Sequence, residues 1–219
     1  MTKNNDTITI SESIRKSAIG LAIFAFFTAG IISVTQYLTK ETISSNEKNF
    51  EARLLLSLLP DGYGAEQILN NAQRFSDFKL TSLDLLNVED SEVFYQLKDD
   101  QGRVETLLLP AVAPEGYTEA IRLVIGISTQ DGHIIGARVT KHKETPGLGD
   151  RIEITKSDWM LGFNDKSLQN PQPENWKVKK DGGDFDQMTG ATITPRAVVK
   201  AIKQALEFFE QNKAALTNS

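Results

Sequence analysis

From Ser17 to Leu38 the chain reads SAIGLAIFAFFTAGIISVTQYL without a charge. A bilayer core takes about 20 apolar residues as a helix, so the pattern predicts a transmembrane span over 17–38. The alternative is a cleaved signal peptide, whose apolar part runs to only about 7 to 15 residues before a small-x-small site. Here Thr28-Ala29-Gly30 falls inside the run, which favours an uncleaved anchor. Between Lys40 and Phe75 apolar positions return at helical spacing, with Leu54, Leu55, Leu58 and Leu59 ahead of Pro60. This predicts a helical connector over 39–78, broken at Pro60-Asp61-Gly62 and followed by a short helix from Ala65 to Phe75.

Near Val93 the period changes from helical to alternating. Val93–Leu97 and Val104–Leu109 flank an Asp99-Asp-Gln-Gly102 turn, the pattern of two paired strands. A clearer hairpin follows. Ile121, Leu123, Ile125 and Ile127 form one apolar face, Asp131-Gly132 supplies the turn, and Ile135, Ala137 and Val139 return on the same face. The prediction is an antiparallel sheet covered on one side. Next comes Glu144-Thr-Pro-Gly147-Leu-Gly149, a loop whose glycines let backbone approach a neighbour closely. Trp159, Met160, Leu161 and Phe163 predict a short helix from about Ser157, serving either as core or as apolar neighbours for a flat ligand.

The last periodic stretch runs from Pro195 to about Lys213, with Val198, Val199, Ile202, Leu206 and Phe209 on one stripe. Thr194 before Pro195 predicts an N-cap with proline at the first helical position. Thr192 then lies just ahead of a helix N-terminus, where free amides and the helix dipole favour a phosphate. Local sequence alone also allows Thr189, Thr192 and Thr194 to be nothing more than capping hydroxyls. The fold class these elements predict is α+β: one N-terminal transmembrane helix, then a domain with a mixed or antiparallel sheet and packed helices.

Composition narrows the chemistry. A net charge of −5 with interspersed signs argues against nucleic-acid binding. The absence of cysteine excludes disulfides, thiolate metal sites and iron–sulfur clusters within this chain, and two histidines make a multi-histidine metal centre improbable. No metal site is expected. Neither His133 nor His142 stands in an arrangement that suggests a hydrolase. Arg15 and Lys16 abut one end of the apolar run while Lys40, Lys48 and Arg53 follow the other; the immediate flank predicts a cytoplasmic tail at 1–16.

Asp186-x-x-Thr189-Gly190-Ala191-Thr192 resembles the flavinylation motif of FMN-binding domains at every specified position, and Glu144-Thr-Pro-Gly-Leu-Gly149 is similar to the second signature loop of that family. Gly116-Tyr117 also fits. The resemblance implies an FMN-binding domain over 79–219 and FMN joined covalently through its phosphate to Thr192. It further implies a flavin transferase that uses FAD and releases AMP, with Asp186, Thr189, Gly190 and Ala191 presenting the threonine. Glu144, Thr145 and Leu148 become candidates for contact with the flavin.

Size and layout are most similar to G subunits of Rnf electron-transport complexes; C subunits of sodium-pumping NADH:quinone oxidoreductases are the alternative. The implied role is that of an electron carrier within a larger oxidoreductase, not a stand-alone enzyme, serving ion translocation or the reduction of a redox sensor. Other membrane subunits would be its partners. It would lie in a bacterial inner membrane with the FMN domain periplasmic. A membrane-anchored assembly module without redox activity is the contrasting class.

Overall fold

A computed structural model describes residues 10–59 and 63–218. Positions 1–9 of the predicted tail and the Pro60-Asp61-Gly62 break lie outside the described residues. Helix α1 spans Ile10–Leu56. Its stretch Glu12–Ile43 is long and apolar enough to cross a membrane. Phe24, Phe26, Phe27, Ile31 and Ile32 are all exposed, so this stretch is apolar around its surface, as a span requires. Its threonines are accommodated in kind. Thr28, Thr35 and Thr39 donate their hydroxyls to carbonyls four residues back, leaving none of these three donors to be hydrated.

Residues from Phe50 onward form a separate compact unit. Helix α2 (Ala65–Asn70) ends sooner than the sequence predicted, because the chain turns at Asn71 into strand β1 (Ala72–Arg74). The other strands are β2 (Val93–Lys98), β3 (Val104–Ala113), β4 (Ile121–Ser128) and β5 (Ile134–Lys141). They pair antiparallel in sequence order, each with its immediate predecessor.

One face of this sheet packs on helix α3 (Ile193–Thr217). Leu107, Leu109, Ile125, Ile127 and Ala137 meet Val198, Ile202, Leu206 and Phe209 in the main core. The helix starts at Ile193, with Thr192 as its N-cap, so the predicted cap at Thr194 is displaced by two residues. Pro195 remains tolerable because the first four helical amides lack intrahelical partners in any case. Asn212 ties the far end down, donating to the Thr81 carbonyl and accepting from the Thr81 amide.

Two departures from the expected alternation bear on what the sheet packs against. Gly126 pairs with Gly136 but Ile127 pairs with Ile134, so Ile135 is the extra residue of a β-bulge. Ile134 therefore enters the core in place of Ile135. The second departure concerns the opposite face, which is also covered: Leu55 and Leu58, from the C-terminal end of α1 and the residues after it, join Ile68, Tyr95, Leu97, Leu108 and Val124 in a smaller core. The glycine pair makes room for this layer, since a Cβ on Gly136 would lie 2.9 Å from Leu58. Buried Arg138 donates to the Ser57 hydroxyl and carbonyl, and burial lowers its pKa.

Candidate functional site

At the N-terminus of α3, two loops and a turn enclose a cavity of about 330 Å³. Gly190 makes the turn. Its φ of 82° suits glycine, and the Ala191 amide closes the turn on the Met188 carbonyl. The turn leaves Thr192 with helical backbone angles at the cap position and its hydroxyl uninvolved in capping. An N-cap threonine ordinarily takes extended angles and accepts from an amide two or three residues on. Thr192 is exposed and does neither.

Thr194, two residues later, is fully committed. Its hydroxyl donates to Oε2 of Glu144, and both residues are buried, at 1% and 5% exposure. Oε1 of Glu144 accepts from the amides of Tyr117 (2.9 Å) and Thr118 (3.4 Å). Glu144 thus joins the segment before β4, the loop after β5 and the first turn of α3.

A further bond anchors its backbone. The Glu144 amide donates to Nδ1 of His142 at 3.0 Å, and Nε2 of His142 lies 2.9 Å from Glu153 Oε1. With Nδ1 an acceptor, the neutral ring carries its proton on Nε2, directed at Glu153. Gly149 completes the packing, since a Cβ there would sit 2.7 Å from Glu144 Oε2 and 2.8 Å from Thr194 Oγ1.

The cavity brings together six of the eight sequence-predicted residues: Thr192, Gly190, Ala191, Glu144, Thr145 and Leu148. Asp186 and Thr189 lie outside its lining. Asp186 pairs with Lys179 at 2.6 Å and borders a different hollow with Trp159 and Asp184. Its carbonyl accepts the Trp159 indole proton at 2.7 Å. Trp159 also meets Phe163 edge-on, and Phe163 stacks on Phe185, so the aromatic segment is chiefly core. Tyr117, Gly149, Ile193 and Thr194 also line the main cavity. Thr194 could not be singled out from sequence because its expected cap role concealed a partner fifty residues away.

The lining contains no lysine or arginine; its one acidic residue is Glu144. Nearby cations are engaged by carboxylates: Lys143 by Glu119, Lys200 by Glu115 and Arg196 by Asp181. The Arg196 hydrogen bond holds the Asp181 carboxyl below its ordinary range. Lys156 does the same for Asp150 beneath the loop. Tyr117, Leu148 and Ile193 form an apolar rim, 66%, 41% and 44% exposed. A cavity of this size is at the low end for small-molecule sites, which run from about 300 to 1,000 Å³. The uncapped hydroxyl, the free helix amides and the apolar rim fit a phosphate-linked aromatic group.

Comparison with known proteins bears on this site. The family model described as the FMN-binding domain matches residues 116–207, and that described as the RnfG N-terminal region matches residues 1–58. The chain is 42% identical over 205 residues to the G subunit of the ion-translocating oxidoreductase complex of Vibrio atlanticus, covering 94% of each chain. It is 40% identical to the G subunit of the same kind of complex from Pseudomonas aeruginosa, covering 94% of this chain and 92% of the relative. The crystal structure of NqrC from Shewanella oneidensis is similar with a TM-score of 0.48 and 22% identity, over 65% of this chain and 70% of that one.

Proposed function

Because the chain belongs to the family of G subunits of ion-translocating oxidoreductase complexes, we propose that it is a membrane-anchored flavoprotein that carries electrons on FMN esterified through its phosphate to Thr192. The observation that carries this reading is the uncapped Thr192 hydroxyl at the mouth of the cavity. Bound FMN supplies reversible electron transfer in one- or two-electron steps. The chain's own residues bind and orient. Thr192 Oγ would provide the attachment atom, and the Ile193 and Thr194 amides at the helix N-terminus would be available to hold the phosphate.

Gly190 keeps the approach open, and Thr145 and Leu148, which line the cavity beside it, would hold the flavin. Glu144 acts by fixing the loops that carry them. Asp186 and Thr189, on the outer side of the turn, serve the transferase that attaches the cofactor. In this reading residues 1–16 are a cytoplasmic tail, 17–38 the span and 39–78 the connector. Residues 79–219 then hold the flavin in the periplasm beside other membrane subunits. Its role is that of a carrier within the complex.

Intact-mass measurement of chain co-produced with a flavin transferase tests the linkage. The expected result is one FMN ester per chain, fluorescent in a denaturing gel and absent from Thr192→Val. An unmodified wild-type chain, or a flavin that persists in Thr192→Val, overturns it.

A further inference from the structure

We propose that Glu144 makes the cavity selective for a singly charged phosphodiester over a free phosphate monoester, so that the pocket retains flavin as the Thr192 ester and disfavours unattached FMN. This rests on the reading of the cavity as the flavin site. Two charges compete at its phosphate end. The N-terminus of α3 offers about half a positive charge. Glu144 lines the same cavity with a full negative charge, and no lining residue is cationic. The carboxylate works against the helix end, and each added negative charge on the ligand meets it.

The helix is also a poorer anion site than most. Pro195 removes one amide from its first turn, and Thr194, whose hydroxyl could have served a phosphate, donates it to Glu144. Lys143, Lys200 and Arg196 are each drawn to a carboxylate of their own. A monoester is close to doubly charged above its second pKa of about 6, whereas a diester keeps a single charge. As the Thr192 diester the flavin phosphate carries one charge fewer than that of free FMN.

The test uses the full chain in detergent with Thr192→Ala, which cannot be esterified and leaves room for a methyl group. FMN and its phosphate monomethyl ester are titrated at pH 8 by flavin fluorescence. The ester is expected to bind about tenfold more tightly than FMN, a difference of about 1.4 kcal/mol. Adding Glu144→Gln, which keeps the shape and removes the charge, with the amide oxygen able to accept from Tyr117 and the NH2 able to donate to the Thr194 hydroxyl oxygen, brings the two within about twofold.

FMN binding as tightly as its ester overturns the proposal, as does a gap unchanged by Glu144→Gln or an ester that fails to bind. The comparison of the two ligands on Thr192→Ala decides the matter even where the double variant does not fold. Failure of the flavin-site reading shows separately, as a wild-type chain that acquires no FMN mass from the transferase.

Discussion

Thr192 and Thr194 are two residues apart at one helix end, and replacing each with valine separates the proposed attachment point from the support of the loops. Thr194→Val keeps the shape but removes the donor to Glu144 Oε2 inside a site where both partners are buried. A hydrogen bond to a charged group contributes about 1.5–3 kcal/mol. For a domain of this size each kcal/mol moves the melting temperature by about 2–4 °C, so the expected loss is about 3–12 °C. Thr192→Val removes an N-cap threonine, a change that ordinarily costs about 0.5–2 kcal/mol. With no cap bond to lose, it should leave stability within about 0.5 kcal/mol. The assay is thermal unfolding of flavin-free full-length chain in detergent, followed by near-ultraviolet circular dichroism. Equal destabilisation by the two variants, or a Thr194→Val chain as stable as wild type, refutes the division of labour.

Gly149→Ala forces a methyl against Glu144 and Thr194 and should destabilise the chain by about 1–3 kcal/mol in urea titration. The depressed Asp150 carboxyl contributes stability that is present above its unfolded pKa of about 3.9 and lost as pH falls through its lower folded value. Melting curves from pH 7 to pH 2 should therefore show the wild-type advantage over Asp150→Asn fading below about pH 4. Because the chain holds no cysteine, one introduced at exposed Gln172 reports topology. A membrane-impermeant maleimide should label it from the periplasmic side, whereas a cysteine at Ser13 should stay unlabelled until the inner membrane is broken.

Much of this architecture is legible in the chain because its periodicities are local. The apolar run, the β4–β5 hairpin and the stripe of α3 each declare themselves within a short window, and the pairing of neighbouring strands follows from their turns. What stays hidden depends on partners far away in sequence. The second covered face of the sheet involves Leu55 and Leu58, and Leu58 lies over Gly136, one of a glycine pair that looks only like weak strand sequence. The bulge at Ile135 hides because Ile134 and Ile135 are chemically alike, and only the register with β4 decides which is buried. At the site, motif spacing marks Thr192 and the Glu144 loop. The buried carboxylate's actual partners, Tyr117, Thr118 and Thr194, lie in segments no local pattern connects.

The strand order β1 to β5 has a consequence for how the molecule is made. Each strand pairs with its predecessor, so the sheet can assemble hairpin by hairpin as the chain leaves the ribosome. Helix α3 follows all five strands in the chain and closes the main apolar face. Until then Glu144 lacks its Thr194 partner, and the cavity has no floor. Thr192 takes its final surroundings only after all five strands have been made, which makes the cavity a signature of a sheet already assembled.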